Sequence, residues 1–196
     1  MAPFGLSALR SLLGRGVGNT PWQPPESSWS RRFGLGWESP YTVRYASNLD
    51  DGPDHGMPLG GFGAGCLGRS PSGAFNLWNL DGGEHWFGSI PDCQFALWEQ
   101  QGEDVRAHAL ATAPDRDDTD PSGGTPLSAW QWYPASTQGR STGTYAARYP
   151  LSWTHHEDVY RAGVLCEAFS PILPGDYQRT SYPVAVFRWQ FSNPTD

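Results

Sequence analysis

The sequence predicts an all-β protein, on three observations. Short apolar runs recur along the chain, turn residues separate them, and sustained helical periodicity is missing beyond residue 13. The 24 Gly and 18 Pro are spread over the whole length, which reads as many turns and not as a low-complexity tail. Aromatic residues make up 14%, with ten Trp, and favour strands and interface-rich surfaces.

Taken in order, residues 1–40 are rich in Gly, Pro, Ser and Arg and read as an irregular arm. Within it Leu6, Leu9, Leu12 and Leu13 have helical spacing, so a short helix over 6–13 is expected. Its apolar part is broken by Arg10 and lacks a small-residue cleavage site, which argues against a secretory signal. A frayed helix or an N-terminal docking segment is the plain reading and a peripheral membrane anchor the alternative. From Tyr41 the pattern changes to strands. The runs are Tyr41–Tyr45, Ala64–Gly68, Phe75–Leu80, Cys93–Glu99, Val105–Thr112, Ser128–Tyr133, Thr144–Tyr149, Leu151–His156, Gly163–Phe169 and Val184–Ser192. Turn signals such as Pro71-Ser72-Gly73, Asp81-Gly82-Gly83 and Pro174-Gly175-Asp176 separate them, as in a sandwich or barrel. In the last run Ala185, Phe187, Trp189 and Phe191 share one face. A strand that apolar, followed by the turn Asn193-Pro194, calls for a further strand beside it.

Charge and cysteine usage exclude several function classes. The net charge is -7 and all 13 basic residues are Arg, with no basic run, so nucleic acid is not an expected partner. Cys66, Cys93 and Cys166 are odd in number and widely spaced. That disfavours a disulfide framework or a Cys-rich zinc site and fits a cytoplasmic location. No apolar run reaches the roughly 20 residues of a membrane span; membrane association stays open but is not indicated. The acidic stretch Asp115–Thr125 lacks the order of an EF-hand and reads as a solvated loop.

Three patterns could carry chemistry. Gly63-Ala64-Gly65-Cys66-Leu67-Gly68 fits GxGxxG, but a dinucleotide loop must open a helix, and Arg69-Ser70-Pro71-Ser72-Gly73 would break one. A tight glycine hairpin is the better reading, and no cofactor is expected. His155-His156-Glu157 could ligate a metal, but adjacent residues of a strand face opposite ways, so no metal site is assigned. Glu84, Glu99, Glu157 and Glu167 stand among aromatic or apolar residues, yet no spacing pairs two of them for glycoside chemistry. No catalytic residue is assigned.

One block is more specific. Gly56-Met57-Pro58-Leu59-Gly60-Gly61-Phe62-Gly63-Ala64-Gly65-Cys66-Leu67-Gly68-Arg69 resembles the N-terminal signature of glycoside hydrolase family 116, which includes the non-lysosomal glucosylceramidase (bile-acid β-glucosidase) and microbial β-glucosidases. Gly73-Ala74-Phe75-Asn76-Leu77-Trp78-Asn79-Leu80, Cys93-Gln94-Phe95-Ala96-Leu97-Trp98 and Tyr149-Pro150-Leu151-Ser152-Trp153-Thr154 fit the same pattern. So do the segments running from Phe169 to Tyr177 and from Ser181 to Phe187. The resemblance covers roughly 41–196 and implies an N-terminal β-sandwich followed by a helical (α/α)6 catalytic domain. There, a Glu nucleophile and an Asp acid/base remove β-linked glucose with retention. Residues 41–196 would be the first part of that sandwich. The catalytic domain is absent from the 196 residues, so activity of this chain alone is not expected.

The partner implied is that helical domain, with the β-glucoside reached only through it. The Gly60–Gly68 hairpin and the Asp81–Trp86 turn, with Glu84, His85 and Trp86, are the candidate interdomain contact, against ordinary sandwich packing as the plainer reading. Two other functions stay open: a freestanding β-sandwich carbohydrate-binding module, and a structural β-protein without sugar specificity.

Overall fold

The computed structural model describes residues 22–33, 55–81, 83, 85–113 and 130–194. The expected strand at Tyr41–Tyr45, the helix at 6–13, the acidic stretch after residue 113 and Glu84 lie outside them. Within the described residues the chain is all-β. Thirteen strands form, with a 3-10 turn at Pro91–Cys93 and one short α-helical turn.

Sheet A holds β1 (Trp29–Arg32), β10 (Gly143–Arg148), β11 (Leu151–His156), β12 (Gly163–Phe169) and β13 (Val186–Ser192), in the order β1-β10-β11-β12-β13. Every pairing is antiparallel. β11 and β12 fall on the expected residues, and β10 and β13 within one or two of them. Sheet B is β2 (Pro58–Leu59), β3 (Cys66–Arg69), β4 (Phe75–Asn79) and β5 (Trp86–Phe87), paired in sequence order. Two hairpins complete the fold, β6 (Ala96–Gln101) with β7 (Asp104–Ala109) and β8 (Ser136–Thr137) with β9 (Arg140–Ser141).

Several elements differ from the sequence reading, among them the two-residue strands β2, β5, β8 and β9, which no run announced. Residues 29–32, assigned there to the irregular arm, form β1 on the margin of sheet A, with Ser30 opposite Ala146. An edge strand is set by its partner more than by its own composition; here Trp29 meets Tyr145 edge-on, with ring centroids 5.9 Å apart. In the described part of the expected strand Ser128–Tyr133, Trp132 makes only an isolated bridge to Ala109. A helical turn, α1 (Tyr177–Thr180), was missed because one turn is too short to show a period. The Asp176 carboxylate caps it, accepting from the Arg179 N–H at 3.0 Å.

The two sheets pack face to face. Met57, Leu59 and Leu67 of the sheet B side meet Ala147, Ala168 and Phe187 of sheet A. Beside them Phe33, Leu110, Tyr133, Tyr160 and Val164 form a second cluster, joined by Phe95, Leu97 and Trp189. Arg69 crosses from one sheet to the other. The register between β3 and β4 shifts after Gly68, setting Arg69 opposite Phe75 with its side chain buried. Its guanidinium donates to Gly73 O (2.9 Å), Thr154 Oγ1 (2.8 Å) and Leu110 O (3.2 Å). It also lies 5.7 Å from the Phe95 ring centre and 5.6 Å from that of Trp189.

Candidate functional surface

The glycine motif is the loop of the β2–β3 hairpin. Its second half runs into strand β3, Cys66–Arg69, and not into the helix a pyrophosphate would need. Backbone contacts seat the loop against the α1 region. Gly60 N–H donates to Ser170 Oγ at 2.7 Å, and Phe62 N–H to Thr180 O at 3.1 Å. Two glycines are required by close approach. A Cβ on Gly61 would stand 2.4 Å from Tyr182 O. One on Gly65, whose φ is +80°, would stand 2.3 Å from Asn79 O.

This tight seating turns large side chains outward. Phe62 is 57% exposed, Tyr149 60% and Tyr182 52%. Leu173 and Tyr177 are exposed beside them, and Thr180 Oγ1 ties the α1 turn back to the Leu173 backbone, accepting from its N–H at 3.0 Å. Phe62, Tyr149, Ile172 and Cys66 line a shallow cleft of about 270 Å³. Exposed apolar side chains gathered on one surface mark a binding face more often than a solvated one.

The second candidate, the Asp81–Trp86 turn, starts where Gly65 touches Asn79, so the two motifs do meet in space. Leu80 is exposed at that junction. His85 is exposed, with its ring 6.0 Å from Phe87. Trp86 is half-buried and sits opposite Trp78, their rings 6.3 Å apart. Trp86 therefore serves sheet packing, while His85 lies at the surface.

The described candidate glutamates, Glu99, Glu157 and Glu167, are occupied by structure. Glu99 accepts from the N–H groups of Arg161 (2.9 Å) and Ala162 (2.8 Å). Glu167 is buried between Trp153 Nε1 (3.1 Å) and Arg188 (3.0 Å). Glu157 takes Arg32 (3.2 Å), Thr144 Oγ1 (3.1 Å) and His155 (3.2 Å). The His155 contact, with Arg32 behind it, holds its carboxyl below the usual range. His155 and His156 face opposite sides of β11, as strand alternation requires, so they do not converge on one ion. Among the described tryptophans only Trp98 is largely exposed, at 60%.

Arg69, which ends the glycine signature, carries no sequence signal of its role in the core. Its type suggests a surface charge; only the closing of the two sheets buries it.

A family model, described as beta-glucosidase 2, glycosyl-hydrolase family 116 N-term, matches residues 56–196. The match begins at Gly56, ahead of the glycine hairpin, and takes in both sheets except β1. The chain belongs to the N-terminal domain family of the family 116 glycosyl hydrolases.

Proposed function

We propose that this chain is the non-catalytic N-terminal sandwich portion of a retaining β-glucosidase of the glucosylceramidase type. It works against a helical catalytic domain of the same enzyme, and the β-glucoside reaches only that domain. The observation that carries this reading is the match of residues 56–196 to an N-terminal domain family, together with carboxylates already committed to backbone, Trp and Arg partners. The surface offered to the catalytic domain is the one around Phe62, Tyr149 and Tyr182, with Leu80 and His85 at its margin. Its support is the exposure of these side chains on a loop that glycines hold close to the α1 turn. A cytoplasmic location is supported by three cysteines, none of which forms a disulfide in the structure. No helix among the described residues is long and apolar enough to cross a membrane.

The purified chain, assayed on an aryl β-glucoside, is expected to give no turnover; robust turnover by the chain alone overturns the proposal. Titrating it with a separately expressed family 116 helical domain is expected to give a complex by native mass spectrometry. Phe62→Asp with Tyr182→Asp is expected to abolish that complex. Tight glucan binding that depends on Trp98, without complex formation, would instead favour a freestanding carbohydrate-binding module.

A further inference from the structure

His156 is the one histidine set inside the sandwich core. It is 3% exposed, and neither ring nitrogen has a hydrogen-bond partner. Its neighbours are rings: Tyr133 at 4.8 Å, Phe33 at 5.5 Å and Trp189 at 6.2 Å between centroids. On the adjacent strands its register partners are Gly143 and Val164. None of these supplies an acceptor to an imidazolium.

The charged and titratable groups around it make protonation worse. From β3 comes Arg69, fully buried, held by two carbonyls and a hydroxyl, and lying against the same Trp189 ring. From the segment before β8 comes the Tyr133 phenol, with Tyr160 beside it; the Tyr133 hydroxyl donates to Glu157 O and Thr142 O. From β12 comes the buried Cys166 thiol, and from β10 the Tyr145 phenol, whose oxygen accepts from Met57 N–H. From β13 the apolar Phe187 and Trp189 face inward, and Arg188 pairs instead with Glu167. The adjacent His155 and Glu157 bond each other on the other side of the strand. So the charge that acts on His156 from within the core, that of Arg69, is positive.

We propose that His156 is an acid latch of this sandwich: neutral, it completes the aromatic core, and protonated, it must leave that core, so mild acid opens the two sheets. Burial, with Arg69 adding to it, holds the imidazole well below its ordinary range. The sign follows. An unfolded His takes up its proton near pH ~6.5, while the native one does not. Above that pH the latch costs nothing. Below it the folding equilibrium falls by up to about 10-fold per pH unit, until the native group itself titrates. The lowered carboxylates Glu157, Asp104 and Asp176 act in a lower window, below their ordinary values of 4.5, 3.8 and 3.8. The two effects are therefore separable.

The test is urea unfolding of the whole chain followed by Trp fluorescence from about pH 7.5 to 5, for the natural sequence and for His156→Phe. The expected result is a fall in folding equilibrium of roughly 10-fold or more between pH 6.5 and 5 in the natural chain, and a much flatter profile in the variant. A variant as acid-sensitive as the natural chain overturns the proposal. If His156→Phe does not fold, His156→Gln and the imidazole proton resonances of the natural chain decide. A His156 signal that stays neutral in the native state down to about pH 5 supports the latch. One that titrates near pH ~6.5 while the chain remains folded sinks it.

Discussion

The core around Arg69 and the surface around Phe62 are built from the same residue types and obey opposite rules. Both combine glycines, aromatics and backbone contacts at close range. Between the sheets, Arg69 is buried and each bonded direction of its guanidinium ends on an acceptor or a ring. At the glycine loop the backbone is tied down while the aromatic side chains point away from the chain's own core. The first region spends its aromatics on holding the chain together; the second leaves them available for another surface. The physical divide is water. A polar group without water must find a partner, whereas an apolar group in water can wait for one.

Substitutions can break that contrast, and the largest effect belongs to the core. Arg69→Ala strands the acceptors at Thr154, Leu110 and Gly73 and leaves a cavity beside Phe95 and Trp189. The expected loss is about 3–5 kcal/mol by urea unfolding, enough to abolish a marginal fold. Tyr145→Phe comes next, because it leaves the Met57 N–H without its acceptor inside the core. It should cost about 1–3 kcal/mol and leave the sheet content unchanged by circular dichroism. Glu99→Gln keeps one acceptor for the two N–H groups at the start of the β12 region. About 1 kcal/mol is expected to be lost, with faster amide exchange at Arg161 and Ala162 as the local readout.

Acid offers a further separation. Glu157 has a lowered native value, so its contribution is present above pH ~4.5 and disappears as pH falls through that lower value. Glu157→Gln should flatten the stability profile below pH ~4.5 and leave the mild-acid limb assigned to His156 in place. The smallest effect on stability belongs to the surface. Phe62→Ser with Tyr182→Ser should change stability by no more than about 0.5 kcal/mol, since both side chains are already largely in water. The same pair should abolish docking to a helical domain. A large stability loss there, with docking intact, would erase the distinction between the two regions.

Several features were legible in the residues themselves. The strands Leu151–His156 and Gly163–Phe169 could be bounded because alternation and flanking turns coincide there. The glycine block could be separated from a nucleotide loop because Arg69-Ser70-Pro71-Ser72-Gly73 cannot start a helix. It could also be matched to a family, because the order and spacing of such motifs are properties of the chain. Opposite facing of His155 and His156 follows from a period of two.

Other features depended on what came together from far along the chain. β1 exists because β10, more than a hundred residues later, pairs with it. The α1 turn is too short to announce itself and is held by Asp176 and by the loop it supports. Arg69 and His156 are 87 positions apart in sequence, yet both lie against Trp189. The sequence by itself determined the longer strands of sheet A's centre, the turns that flank them and the family, since periodicity and motif order are local. Only the tertiary structure decided which polar side chains lost their water, and with it which aromatics brace the core and which remain exposed to a partner.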